Sequence, residues 1–109
     1  MAYDEALAVR IRALVPGDGV EKKMFGGLAF LVNGNMAVAA SGQGGLLVRV
    51  DPGESNELVT STPAYPMEMR GRAMPGWLRV HADAVADDAA LGGWVTRGVA
   101  YARSLPSKA

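Results

Sequence analysis

Apolar residues recur at helical spacing near both ends of the chain and crowd into short, nearly unbroken runs between them. Leu7, Ile11, Leu14 and Val15 form one stripe with Arg10 and Arg12 off it, which predicts a helix over residues 4–15, ended by Pro16-Gly17-Asp18-Gly19. Leu91, Trp94, Val95, Gly98, Tyr101, Ala102 and Leu105 form a second stripe, capped by Asp87 or Asp88, running to about Ser104 and stopped by Pro106. Gly92, Gly93 and Gly98 each weaken that helix by about 1 kcal/mol relative to alanine. Gly98 lies on the apolar stripe, so it is where another backbone is expected to approach.

The segment between the helices predicts strands. Residues 20–24 place Glu21 and Lys23 on one face and Lys22 and Met24 on the other. Asn33-Gly34, between apolar runs, is the strongest short signal for a two-residue type I′ turn, because both residues take positive φ at little cost. That turn sets Val32 opposite Asn35, Leu31 opposite Met36, Phe30 opposite Ala37 and Ala29 opposite Val38. One face of the hairpin then carries Ala29, Leu31, Met36 and Val38, and the other Leu28, Phe30, Ala37 and Ala39. Neither face is polar, so both need covering. The helices suffice for one, and a second copy of the chain is expected on the other.

Gly42-Gln43-Gly44-Gly45 reads as a further tight connection into a strand over residues 46–50, and Asp51-Pro52-Gly53-Glu54 opens a short helix to about Val59. Residues 65–69 and 77–81 read as two more strands joined by a long loop through Arg70-Gly71-Arg72-Ala73-Met74-Pro75-Gly76. The expected fold class is α+β: a mainly antiparallel sheet of five to six strands, with N- and C-terminal helices and a short middle helix.

Composition narrows the chemistry. The 109 residues suit a single domain, half of them hydrophobic (50%) and a fifth charged (20%), with no apolar run long enough to cross a bilayer. The acidic start, Met1-Ala2-Tyr3-Asp4-Glu5, carries no basic leader, so a cytoplasmic protein without membrane contact is expected. With no cysteine and a single histidine, His81, thiolate nucleophiles and cysteine- or histidine-rich metal sites are excluded. No catalytic constellation, metal or cofactor is expected. Eleven basic residues balance eleven acidic ones, so the overall charge of a nucleic-acid binder is missing, and any DNA affinity is expected to be weak and gone by physiological salt.

Lys23-Met24-Phe25-Gly26-Gly27, the hairpin ending in Asn35-Met36, Gly71-Arg72-Ala73-Met74-Pro75-Gly76-Trp77 and the closing Tyr101-Ala102-Arg103-Ser104-Leu105-Pro106 together resemble the N-terminal domain of the TfoX/Sxy family of competence regulators. The resemblance covers nearly the whole chain. It implies a small α+β fold similar to secretion-chaperone-like domains, which commonly form homodimers, and it implies no active site. Competence regulators of this family generally carry a second, C-terminal domain, which this chain, ending at Ala109, is expected to lack.

Two groups of residues are candidate contact sites. Lys22, Lys23, Phe25, Gly26 and Gly27 combine cations, an aromatic and an approachable backbone. The commoner role of such a glycine pair is a bulge or a positive φ, and of such a phenylalanine to fill core volume. Arg70, Arg72 and Arg79, with Trp77 among them and Arg49 nearby, make the local basic excess and suit an acidic peptide, a carboxylate or a nucleic-acid backbone. Strand arginines more often stay solvated or pair with carboxylates, here Glu68 and Asp83. Met24, Met36, Met67, Met69 and Met74 suit either core filling or an adaptable groove. Asp87 and Asp88 suit helix capping, and His81 a surface or capping place. The expected function is a non-enzymatic protein-binding or regulatory module, homodimeric, tied to competence regulation by the resemblance. The alternative is a small-molecule sensor or enzyme with a pocket between sheet and last helix around Trp77, Trp94 and Tyr101.

Overall fold

Asp4 opens the first helix, α1 (Glu5–Leu14), by accepting a hydrogen bond from the Leu7 amide at 3.1 Å, and Leu7, Ala8 and Ile11 turn inward. The structure, a computed structural model, describes residues 3–24 and 26–107. The chain continues through β1 (Val20–Met24), β2 (Gly27–Val32), β3 (Asn35–Ala40) and β4 (Leu46–Arg49). A 3₁₀ turn (Pro52–Glu54) leads into α2 (Ser55–Ser61), β5 (Tyr65–Met69), β6 (Arg72–Val80), a second 3₁₀ turn (Ala82–Val85) and α3 (Asp88–Ser104). The strands form one six-stranded sheet in the order β1-β2-β3-β4-β6-β5, with every neighbouring pair antiparallel. The architecture is the α+β class expected. Asp87 caps α3 by accepting from the Ala90 amide at 3.1 Å, while Asp88 pairs with Arg10 of α1 at 3.0 Å.

The main core lies between the sheet and the helices. Phe30, Leu46, Leu78, Ile11 and Leu91 are fully buried there, with Trp94 of α3 packed among them. Each such side chain contributes about 1.5–3 kcal/mol by leaving water. Asn35, at the start of β3, ties down the far end of α3. Its amide nitrogen donates to the carbonyls of Ala102 at 3.2 Å and Pro106 at 3.0 Å.

The Asn33-Gly34 turn forms as expected, with φ of 58° and 79°, and pairs Val32 with Asn35 and Leu31 with Met36. Beyond that the expected register fails. A bulge places Phe30 opposite Val38 and Ala29 opposite Ala39, leaving Ala37 as the extra residue. Val38 thereby joins the helix-side core and Ala39 the opposite face. Ala37 also stays on the helix side, clustered with Val32 and Ala102. A turn dictates pairing only as far as the first bulge.

The β5–β6 connection also departs from expectation. Instead of a long loop, Arg70 and Gly71 form a two-residue turn with φ of 55° and 79°, and β6 runs through Met74-Pro75-Gly76. Between the pairs Glu68–Ala73 and Pro66–Leu78, β6 has Met74 to Trp77 where β5 has Met67 alone. The backbone of Gly76 is satisfied from outside the β5–β6 ladder: the Val50 amide donates to Gly76 O at 2.8 Å, and Gly76 N donates to Ser55 Oγ at 2.6 Å.

The second apolar face is covered within the same chain. Ala29, Met36, Ala39, Leu47 and Met67 are all buried, with Met24, Leu31 and Trp77 packed beside them. Met24 and Met67 belong to opposite edge strands, yet both line one cleft of about 330 Å³. In a flat sheet, five interstrand spacings would hold those edges about 24 Å apart. The sheet therefore curves into a concave surface on the side away from the helices, and the hairpin's second face does not by itself call for another copy.

Arg12 of α1 reaches edge strand β1, donating to Glu21 Oε1 at 2.8 Å. This hydrogen bond, reinforced by charge attraction, holds the Glu21 carboxyl below its ordinary pKa. A carboxyl depressed on folding adds stability above its unfolded pKa and loses it as pH falls through the folded value. Both side chains are exposed, so the effect is small. Glu21→Gln is expected to lower the urea midpoint slightly at neutral pH, with the difference from wild type fading as pH falls through the folded Glu21 pKa; urea titrations at neutral and acid pH check this.

Candidate functional site

The concave strand face holds the candidate site. Register places Lys22, Ala29, Ala39, Leu47, Arg79 and Tyr65 in one row across the sheet, one residue from each strand. The small side chains of Ala29 and Ala39, with Gly27, make the floor, and Met24, Leu47, Met67 and Met69 make apolar walls. The Ser41–Gln43 loop and the hairpin tip at Glu68 to Arg70 also line it.

The glycines near the cleft serve the chain's own backbone. A Cβ on Gly27 would lie 2.2 Å from Ala40 O, and one on Gly42 would lie 2.7 Å from Gly26 O. The β1–β2 connection thus packs directly on the loop after β3, an approach only glycine permits. Gly26 takes a positive φ of 75°. Phe25 lies outside the described residues.

The basic residues are arranged unevenly. Arg79, half-buried, donates to Ser41 Oγ at 2.8 Å, and that hydroxyl also accepts from the Gln43 amide at 3.1 Å. Arg70 sits at the hairpin tip, and Arg72 pairs across β5–β6 with Met69, which places it on the same face as the cleft. Lys22 also shares this face, whereas Lys23, opposite Leu28, lies on the other side of β1. The four ion pairs among the described residues are Arg10–Asp88, Arg12–Glu21, Arg97–Glu54 and Arg103–Asp18. None involves Lys22, Arg70, Arg72 or Arg79, so the pairing considered with Glu68 and Asp83 does not form. Glu68 lines the cleft beside Arg70 without an ion pair to a described residue.

Trp77 stands on the concave side, half-buried, with the Arg49 guanidinium 5.0 Å from its ring centre and 5.7 Å from that of Tyr101. Sharing one cation between two neutral rings orients Arg49 and leaves its charge unmatched. Trp94 is on the opposite side, in the helix-side core. The three aromatics of the alternative reading therefore do not enclose a common pocket. His81 caps the second 3₁₀ turn by position and stacks on Tyr65 at 4.6 Å.

Sequence reading missed Ser41, Gln43 and Leu47 as parts of the cleft. The signal for Leu47 was present in the unbroken apolar run of β4, which requires side chains on both faces. Nothing local marks Ser41 and Gln43, which arrive through the packing of their loop on Gly26.

Chemically, the surface offers methionine walls, fixed and free guanidinium groups, and a hydroxyl engaged as an acceptor. Among the described residues there is no group of three or more His, Asp or Glu side chains placed to hold a metal ion, and no helix long and apolar enough to cross a membrane. Comparison with curated proteins and with solved structures gave no match. The model of the TfoX N-terminal domain matches residues 13–102, from the last turn of α1 to the last turn of α3, so all six strands and the concave face lie within it. The chain belongs to the TfoX N-terminal domain family.

Proposed function

We propose that the protein is a non-enzymatic regulatory module that acts by binding another protein through the concave strand face. The observation that carries this is the methionine-walled cleft of about 330 Å³, bordered by arginines that make no ion pair with described residues. Flexible thioethers suit surfaces that must fit a partner. Family membership supports a regulatory, competence-related setting.

The sheet edges support a contact through the face. β1 presents Glu21-Lys22-Lys23, and β5 carries Pro66, which lacks an amide donor; both features discourage edge-to-edge pairing. The homodimer expected from the hairpin loses that particular support, because the second face is already buried. A second copy remains one partner that the test distinguishes.

The chain has no cysteine, so a photo-crosslinker attached to Met69→Cys labels the rim of the cleft alone. Met69 is 47% exposed, and Val9, 59% exposed on α1, serves as the control position. Irradiation in the native host is expected to give a discrete adduct from position 69 and none from position 9. A doubled chain mass identifies a second copy. Equal adducts from both positions, or none from position 69, refute the reading.

A further inference from the structure

We infer that the concave cleft takes an acidic peptide segment carrying a large apolar anchor, with the anchor between Met24, Met67 and Met69 and its flanking carboxylates on Arg79, Arg70, Arg72 and Lys22. This rests on the protein-binding reading above and specifies the partner's chemistry.

Charge complementarity is the first argument. Every ion pair among the described residues lies away from this face, and Arg70, Arg72 and Lys22 have no carboxylate partner among those residues. Arg79 is held by Ser41 Oγ, a neutral acceptor, which orients the guanidinium and leaves its charge unmatched. Glu68 is the one carboxylate lining the cleft, against two arginines there. A basic or neutral segment would leave that excess uncompensated.

Size and placement supply the second argument. A space of about 330 Å³ holds one or two large side chains. Arg72 and Lys22 lie on the same face but outside the cleft lining, at opposite sides of the sheet. A small carboxylate inside the cleft would leave them unused. A peptide anchored in the centre extends to both sides, with a buried apolar contact ringed by charge, as productive interfaces are built.

The probe is a short fluorescein-labelled peptide with a central Trp-Leu pair flanked on both sides by glutamates and aspartates, followed by anisotropy with the full chain. Three companions replace the acids with lysines, replace the acids with serines, or replace the Trp-Leu pair with alanines. The acidic anchored peptide is expected to bind, more weakly as salt rises. Arg70→Glu combined with Arg72→Glu, both exposed and outside the core, is expected to weaken it roughly tenfold or more while circular dichroism stays unchanged. Met69→Asp is expected to weaken it similarly by spoiling the apolar wall.

Equal binding of the lysine peptide, or no change in the double arginine variant, overturns the proposal. Equal binding of the alanine peptide overturns the anchor. If the serine peptide binds as well as the acidic one and protects position 69 from labelling, the acidic chemistry fails while the protein-binding face stands. If no peptide binds and position 69 gives no crosslink, both readings fail.

Discussion

Asn35→Asp is expected to destabilise the fold by about 4 kcal/mol at neutral pH, although it changes hardly any volume. Asn35 is 1% exposed, and its amide nitrogen faces three carbonyl oxygens: Asn33 at 3.3 Å, Ala102 at 3.2 Å and Pro106 at 3.0 Å. Its side-chain oxygen has no hydrogen-bond partner among the described residues. A carboxylate there would turn acceptor against acceptor and bury an unpaired charge. Burial raises the folded pKa of the introduced acid above its unfolded value, so the loss is full above the folded pKa and shrinks as pH falls toward about 4, where the acid protonates in both states. Urea unfolding at pH 7 and in mild acid tests this. A variant as stable as wild type at pH 7 would show that the anchor on the end of α3 contributes nothing.

Gly98→Ala is expected to cost about 3 kcal/mol, and Gly93→Ala to add up to about 1 kcal/mol, in the same helix. A Cβ on Gly98 would sit 2.5 Å from Ala37 O and 3.0 Å from a Val38 methyl, so α3 could keep its hydrogen bonds only by lifting from β3. A Cβ on Gly93 meets nothing within 4 Å, and the exposed helix gains from alanine's smaller backbone entropy loss. Opposite shifts of the urea midpoint are the expected result. Equal shifts for both variants would mean that helix propensity, and not the approach of α3 to the sheet, governs this position.

Both effects concern the same contact, the seating of α3 on β3, and it was legible to different degrees. Gly98 stood out in the sequence because it interrupts an apolar stripe. Asn35 did not, because its partners Ala102 and Pro106 are far along the chain and nothing local marks them. The basic cluster of Arg70, Arg72 and Arg79 was legible by composition. Its surroundings were not: Met24 comes from the other edge of the sheet, and Ser41 from a loop seated against Gly26.

Helical stripes, capping aspartates and the Asn33-Gly34 turn were determined by sequence alone, since each depends on side chains and dihedrals within a few residues of one another. The α+β class followed from their order. Tertiary structure decided the bulge at Ala37, the tight turn at Arg70-Gly71, the curvature of the sheet and the burial of its second face by the same chain. Curvature accumulates over all six strands and their bulges, and no single segment encodes how the two edge strands come to line one cleft. The site is therefore a property of the curved sheet and not of any motif in it.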